Sequence, residues 1–483
     1  MPIDIEFTRL RFRRTKIVAT VGPACSTPET INELIVAGVN VFRLNMSHGN
    51  HQSHSTVFNI IRQASREKNA HVAILADLCG PKIRCGKFEN GQIELVAGES
   101  VTVTTEPITG RPGVIPSAYE NLHLDAAEHS RLLLDDGKLE LLVEQINGKE
   151  LKCKVIQGGV LKDRKGINLP LRDVSAPALT EQDYADARLM LGLGVDFLAL
   201  SFTRKKADVD LLRKVVEEFD PPAAIIAKLE NHEGLKNADE IIAAADGIMV
   251  ARGDMGVELR PEEVPVAQDQ LVLAARNQGK PVIVATQMLE SMINTLQPTR
   301  AEVSDISHAV QSGTDAIMLS GETAAGAYPV KAVEMMDRIA RHNEGYQWQI
   351  EASDEFKSTT AIPPIPLHYA IANALSSLSH DLQVYCIIVI SRGGTSALTV
   401  SSARPSSPII AASSLAETCR RMNLNWGTIP VETDTDSFEL NPRLASELAH
   451  TSFGATRGDR VLLLKGFNAN PQLHAPSITT LFV

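Results

Sequence analysis

Eight short apolar runs constrain this chain more than any other feature. They are Ile17–Val21, Val39–Leu44, Val72–Asp77, Asp196–Ser201, Ile225–Leu229, Gly247–Ala251, Val282–Thr286 and Ala316–Leu319. Continuously apolar runs of this length suit strands buried on both faces of a parallel sheet, because half-buried strands alternate instead. Segments with helical spacing lie between most of them. Ser26 with Glu29, Thr180 with Asp183 and Thr299 with Glu302 each place a hydroxyl three residues before an acid, the spacing of a capping box. Eight such strand–helix units, ending with Tyr328–Arg341 as the last helix, are the count of a (β/α)8 TIM barrel.

The spacing breaks once. After Asp77 no barrel-like helix is expected before Leu179. Residues from about Lys82 to Asn168 instead alternate in short strands, Glu94–Val96, Ser100–Thr104, Leu139–Val143 and Leu151–Val155, with Asn147-Gly148 as a hairpin turn. A separate β domain inserted after the third strand is the natural reading. A second change follows Arg341: His342 to Pro366 is polar and then rich in proline, like a linker. Beyond it, Leu367–Ser379, Val384–Ser391, Ser396–Ala403, Ile409–Ala412, Leu415–Met422 and Val461–Lys465 alternate helix and strand, which predicts a C-terminal α/β open-sheet domain. The expected division is 1–81 and 169–345 for the barrel, 82–168 for the insert and 346–483 for the last domain.

Composition narrows the function. The chain of 483 residues has 47 basic and 58 acidic side chains, a net charge of −11, which argues against a nucleic-acid footprint or a polybasic membrane anchor. Its six cysteines form no C-x-x-C pair, so neither a zinc knuckle nor a redox motif is indicated. No apolar run reaches the length of about 18 residues that a membrane span needs. Met1 to Arg14 lacks the apolar core of a signal peptide. A cytoplasmic, soluble protein is expected.

In such a barrel the loops after the strands form the active face. Strand two ends in Arg43-Leu44-Asn45-Met46-Ser47-His48, strand three in Asp77, and strand four in Ser201-Phe202. Strand five carries Lys228 and Glu230, strand six Arg252 and Asp254, strand seven Thr286, and strand eight Ser320 and Glu322. A strand-end Asp or Ser often only caps the next helix, and Arg252 could pair with a neighbouring acid. Lys228 is harder to explain structurally: the apolar run Ala224–Ala227 delivers an ammonium into the barrel mouth, where burying it unpaired is costly. Glu230 points the same way by strand periodicity, so a structural salt bridge is one alternative. Two carboxylates on adjacent strand ends, Glu230 and Asp254, suit Mg²⁺, which keeps sites for waters and substrate oxygens. Arg43, Lys228 and the metal would then bring at least four positive charges to one point, which implies a dense anionic ligand such as a phosphate.

The motifs T-K-I-V-A-T-V-G-P (Thr15–Pro23), R-L-N-M-S-H-G (Arg43–Gly49), G-P-K-I-R (Gly80–Arg84), K-G-I-N-L-P (Lys165–Pro170), K-L-E-N-H-E-G (Lys228–Gly234), V-A-R-G-D-M-G-V-E (Val250–Glu258), A-T-Q-M-L-E-S-M (Ala285–Met292) and L-S-G-E-T-A-A-G-A-Y-P (Leu319–Pro329) follow one another at these strand ends. In this order they resemble the pyruvate kinase family over roughly residues 15 to 345. The resemblance implies phosphoryl transfer from phosphoenolpyruvate to ADP, a task of positioning and charge neutralisation. It implies that Glu230 and Asp254 hold Mg²⁺ or Mn²⁺, that Lys228 stabilises the enolate, and that Arg43 clamps the phosphoryl group. Thr286 would help protonate the enolate, with Ser320 and Glu322 in the relay. The amides of Gly253 and Asp254 would bind the substrate carboxylate, with Ser201 beside them. Asn45, His48, Arg84 and Lys165 match the family's nucleotide contacts, and with Lys165 at its rim the insert would be a small β-barrel lid domain that excludes water when it closes. Mg²⁺-dependent pyruvate aldolases and phosphoenolpyruvate mutases also pair an Arg with two acids, but lack the nucleotide lid and the strand-five Lys-x-Glu. A non-catalytic sensor of sugar phosphates would be favoured by loss of Lys228, Glu230 or Asp254, and all three are present.

Three further expectations concern regulation. Ser391-Arg392-Gly393-Gly394-Thr395-Ser396, between a strand and a helix, has the makings of a phosphate cradle, and the family places a sugar-phosphate effector there. Lys465-Gly466-Phe467-Asn468-Ala469-Asn470-Pro471 departs from the phosphate loop of fructose-bisphosphate-regulated members, so a sugar monophosphate is the expected effector. The family is usually a homotetramer. Many members hold K⁺ among residues equivalent to Asn45, Ser47, Asp77 and the carbonyl of Leu78, and carry Glu where this chain has Lys82. That change from −1 to +1 predicts activity without K⁺, with Mg²⁺ still essential.

Overall fold

The computed structural model describes residues 12–349, 364–434, 443–467 and 475–483. Strands β1 (Lys16–Thr20), β2 (Val41–Asn45) and β3 (Ala73–Asp77) lead into the insert, which holds β4 to β11. The barrel resumes with β12 (Phe197–Leu200), β13 (Ala224–Leu229), β14 (Gly247–Ala251), β15 (Val282–Ala285) and β16 (Ala316–Leu319). These eight close in the order β1-β16-β15-β14-β13-β12-β3-β2, every pairing parallel. The apolar runs are continuous because both faces are covered. Val18, Val41, Leu75, Ala199, Ile226, Met249, Ile283 and Met318 fill the barrel interior, while Ile17, Phe42, Ile74, Leu198, Ile225, Ile248, Val284 and Ile317 pack outward against the helices.

Helix starts follow the expected chemistry at Thr180/Asp183 and Thr299/Glu302, where both bonds of the capping box form. The first helix differs by one residue. Thr27, not Ser26, is its cap, accepting from the Thr30 amide at 3.3 Å, because Pro28 takes the first helical position, where its missing N–H costs nothing. The last barrel helix runs Pro329–Gln349, past Arg341 and into the expected linker; the remainder of that linker, 350–363, lies outside the described residues.

The insert is a strand-rich half-barrel. Its six-stranded sheet runs β11 (Ile167–Asn168), β7 (Arg131–Leu134), β8 (Leu139–Asn147), β9 (Glu150–Gln157), β5 (Ser100–Thr104), β6 (Val114–Pro116), with a ribbon of β4 (Gln92–Leu95) and β10 (Gly159–Lys162). The hairpin predicted at Asn147-Gly148 turns one residue later: Asn147 still pairs with Glu150, and Gly148 takes the left-handed conformation at φ 58°.

The C-terminal sheet runs β19 (Thr428–Glu432), β18 (Ile409–Ser413), β17 (Cys386–Ile390), β20 (Arg460–Lys465), β21 (Ser477–Phe482), with only β21 antiparallel. It docks under the barrel through charged side chains at the starts of barrel strands. Arg420 reaches Asp196 at 2.7 Å, just before β12, and Arg404 reaches Asp315 at 3.0 Å, just before β16. The Lys16 ammonium donates to the Thr428 carbonyl. These contacts sit at the barrel end opposite the strand tips. Among the described residues no helix is long and apolar enough to cross a membrane.

Candidate active site

Parallel register brings the strand tips together. Asn45 stands beside Asp77, and Ala199, two residues before Ser201, also pairs with Asp77. Asp77 is buried at the centre. Arg43 Nε donates to its Oδ2 at 2.7 Å, and the Arg43 fork also donates to Thr20 Oγ1 at 3.1 Å. Lys228 Nζ lies 3.5 Å from Asp77 Oδ1 and 3.3 Å from Glu230 Oε2, and donates to Ser201 Oγ at 2.8 Å. Ser201 in turn donates to the Leu78 carbonyl at 2.7 Å. Two cations thus flank one carboxylate, each held by two or more partners.

The electrostatics follow from this packing. Burial alone would push the Asp77 carboxyl up, but the Lys228 and Arg43 charges hold it below the ordinary range. Burial would lower Lys228, and Asp77 and Glu230 outweigh it, so its ammonium is held charged above the usual lysine range. Glu230 is pushed up to about 7 by burial, with Asp254 adding to the rise and Lys228 opposing it.

Glu230 Oε1 accepts from the Phe202 amide at 2.7 Å, while its buried Oε2 makes no hydrogen bond. A buried carboxylate oxygen without a hydrogen bond is costly unless a cation answers it. Lys228 faces that oxygen at 3.3 Å, but this one ammonium is set against Asp77 and Glu230 together, so the pair Glu230 and Asp254, the latter 30% exposed at the next strand tip, has the chemistry to hold a divalent ion. With only two protein carboxylates, such an ion would keep sites for substrate oxygens and water.

Thr286 closes the site from β15. Its hydroxyl donates to the Ala285 carbonyl at 2.6 Å and accepts from the Gly253 amide at 2.7 Å. The Gly253 N–H is thus committed to Thr286 here, rather than free for a substrate carboxylate. Thr286 and Gln287 both have left-handed φ, 69° and 54°, a strained pair. Arg252 holds it by donating to both their carbonyls, at 2.8 and 2.9 Å. Glu322 is buried and accepts from the amides of Ser320 (2.7 Å) and Leu289 (3.0 Å), and Ser320 Oγ is buried without a hydrogen bond.

The nucleotide candidates divide between barrel and lid. Asn45 accepts from the Ser47 amide at 3.2 Å, and His48 is exposed beside it. Lys165 pairs with Asp135 at 2.8 Å, and Arg84 donates to the Arg164 carbonyl at 3.2 Å. Lys82 faces the mouth of the barrel: its ammonium is 3.5 Å from both Asp254 and the lid residue Asp136. A cavity lies at this hinge, lined among others by Lys82, Asn168, Phe202, His232 and Glu258. Glu258, pushed up to about 7 by burial, receives a hydrogen bond from Asn168 across the cleft at 3.4 Å.

Sequence reasoning missed Thr20, Asp136 and Glu258 as members of this site. Thr20 ends β1 and was reachable by the same strand-tip rule. Asp136 sits in the turn Asp135-Asp136-Gly137, a signal legible as a hairpin but not as one that overhangs the barrel.

The candidate effector loop follows β17. Ser391 Oγ accepts from the Ala397 amide at 3.2 Å, Gly394 turns at φ 88°, and the helix Thr395–Ser402 starts there. Of the C-terminal departure, Asn468 to Pro471 lies outside the described residues.

The family model of the pyruvate kinase barrel domain matches residues 12–333, and that of the pyruvate kinase alpha/beta domain matches residues 369–475. Pyruvate kinase 2 of Synechocystis is 42% identical over 459 residues, covering 94% of this chain and 76% of that protein. Pyruvate kinase of Staphylococcus aureus is 42% identical over 464 residues, covering 94% and 78%. The crystal structure of a pyruvate kinase from Cryptosporidium parvum superposes with a TM-score of 0.90 at 36% identity, covering 97% of this chain and 96% of that one. With both its barrel and its C-terminal domain matched by the family models and most of its length by these relatives, the chain is an enzyme that belongs to the pyruvate kinase family.

Proposed function

We propose that the chain transfers the phosphoryl group of phosphoenolpyruvate to ADP, giving pyruvate and ATP as the final step of glycolysis in the cytoplasm. The observation that carries this reading is the placement of Arg43 and Lys228 on either side of Asp77, beside the Glu230 and Asp254 pair. When bound to Glu230 and Asp254, Mg²⁺ or Mn²⁺ supplies charge neutralisation for the carboxylate and enolate oxygens of the substrate. Arg43, its fork fixed by Asp77 and Thr20, clamps the phosphoryl group. The bond between phosphorus and the enolate oxygen breaks, and one forms to a β-phosphate oxygen of ADP. The electron pair stays on the enolate oxygen, against which Lys228 holds a permanent positive charge. Carbon 3 then takes a proton through water positioned by Thr286, with Ser320 and Glu322 behind it. Ser201 orients Lys228. Asn45, His48, Arg84 and Lys165 grip the nucleotide as the lid closes and excludes water.

The same reading extends to regulation. A sugar monophosphate such as glucose 6-phosphate or ribose 5-phosphate binds at Ser391, Arg392, Gly393, Gly394, Thr395 and Ser396, and the enzyme works as a homotetramer. Substantial activity without K⁺ is supported by Lys82 facing the barrel mouth instead of solvent. Among the described residues its ion pairs are with Asp254 and Asp136, so it adds positive charge at the barrel mouth beside the pocket of Asn45, Ser47, Asp77 and the Leu78 carbonyl without filling that pocket itself. The decisive test is pyruvate formation from phosphoenolpyruvate, measured with and without ADP in Mg²⁺. Turnover that requires both is expected, and none under any of these conditions removes the reading. A phosphoenolpyruvate titration that shifts only with fructose 1,6-bisphosphate removes the effector assignment.

A further inference from the structure

Three parts of the molecule meet at one ammonium. Lys82 leaves the barrel at the first crossover into the lid, and its stem is packed against the lid backbone, where a Cβ at Gly166 would stand 3.1 Å from Lys82 Cε. Its Nζ lies 3.5 Å from Asp136 in the lid and 3.5 Å from Asp254 on the barrel. Asp136 reaches that point because Asp135 and Asp136 turn in succession through left-handed φ of 50° and 56°, a costly arrangement for two non-glycine residues. The Asp135 amide donates to the Gly166 carbonyl at 3.1 Å and fixes the turn. The tip then lies against the helix Arg252–Glu258, with a Cβ at Gly137 reaching Val257 at 4.0 Å.

We propose that Lys82 is a built-in counter-ion of the metal site, which an incoming divalent ion displaces from Asp254 and which Asp136 then retains. A divalent ion bound to Asp254 would meet an ammonium 3.5 Å from the same carboxylate, and its double charge makes that repulsion stronger than between two side-chain cations, so metal and ammonium compete for Asp254. Asp136 is the only other carboxylate paired with Lys82 among the described residues, and it belongs to the lid. Displacement therefore transfers the ammonium from a barrel–lid bridge to a lid contact, which ties metal occupancy to lid position. Lys82 is thus a positioning residue for the reaction, and this rests on the reading of Glu230 and Asp254 as the metal pair.

The test is Mn²⁺ binding to the full-length enzyme without substrate, followed by electron paramagnetic resonance at fixed ionic strength. Lys82→Met is expected to lower the Kd for Mn²⁺ about tenfold, since it removes the competitor, whereas Lys82→Arg keeps it near the wild-type value. Asp136→Asn is expected to raise the Kd about threefold with Lys82 in place and to have little effect in the Lys82→Met background. A purely structural role for Lys82 would weaken Mn²⁺ binding on substitution and would show no such coupling. Unchanged or weaker binding in Lys82→Met overturns the proposal, as does an Asp136→Asn effect of equal size in both backgrounds. Mn²⁺ binding untouched by Asp254→Asn removes the metal assignment itself and the competition with it.

Discussion

Lys228 Nζ and Asp77 Oδ1 face each other at 3.5 Å across the barrel mouth, from β13 and β3, with β12 between them contributing Ser201 as the bridge. The pair is buried, so neither charge has much water to fall back on. Lys228 can therefore be neither neutral nor absent without disturbing Asp77 and Glu230 together.

Lys228→Met should lower kcat about 10³-fold, the cost of deleting one preorganised charge at a developing oxyanion. It should also destabilise the fold by about 3–5 kcal/mol, because the buried carboxylates lose their partner. A coupled pyruvate assay and urea unfolding measure the two effects. A stable, active Lys228→Met enzyme would refute both the role and the electrostatic account.

Thr286→Ala should lower kcat about 10²-fold with little change in KM for phosphoenolpyruvate, since the hydroxyl serves proton delivery and not ground-state binding. Thr286→Ser keeps the hydroxyl that bonds Gly253 and Ala285, and should keep most of the activity. Equal losses in both variants would mean that the methyl group or the backbone strain, not the hydroxyl, is what matters.

Lys16 carries a pH dependence away from the active site. Burial beneath the C-terminal domain lowers its pKa to about 7, with Arg13 and Arg14 adding and Glu344 and Asp315 opposing. An unfolded lysine titrates near about 10.4, so between these values the unfolded chain binds the extra proton. Stability from this group is full above about 10.4 and is lost as pH falls toward 7. Lys16→Met abolishes that titration, so its Tm advantage over the parent should widen from pH 10 down to pH 7. Thermal scans at four pH values check this, and an offset that does not change with pH would contradict it.

The fold was legible because its signal is repeated. Eight apolar runs buried on both faces leave little choice of architecture, and strand-tip residues such as Arg43, Lys228, Glu230 and Thr286 follow from knowing where strands end. What escaped were features set by contacts between distant segments. The cap moved from Ser26 to Thr27 because proline outranks spacing at the first helical position. The Gly253 amide was read as free for substrate, yet the strained Thr286 turn brings a hydroxyl onto it. Asp136 belongs to the site only because the lid folds back over the barrel, which no local pattern records.

The last prediction concerns the monovalent cation. Arg43 already neutralises Asp77 from one side and Lys228 from the other, so the pocket of Asn45, Ser47, Asp77 and the Leu78 carbonyl holds little uncompensated charge. Lys82 adds a further positive charge at the barrel mouth, about a quarter exposed. Lys82→Glu reverses that charge, leaves Asp254 and Asp136 facing a third acid, and removes the ammonium whose field opposes a second cation nearby. The parent enzyme should run at a substantial rate in tetramethylammonium buffer, with KCl at matched ionic strength changing it little. Lys82→Glu should be slow there and recover on adding KCl, while both enzymes stay inactive without Mg²⁺. Because matched ionic strength removes general screening, a stimulation by K⁺ confined to the variant isolates the charge at residue 82. A hundredfold stimulation of the parent enzyme would defeat the prediction, since the positive charge at residue 82 would then not make K⁺ dispensable.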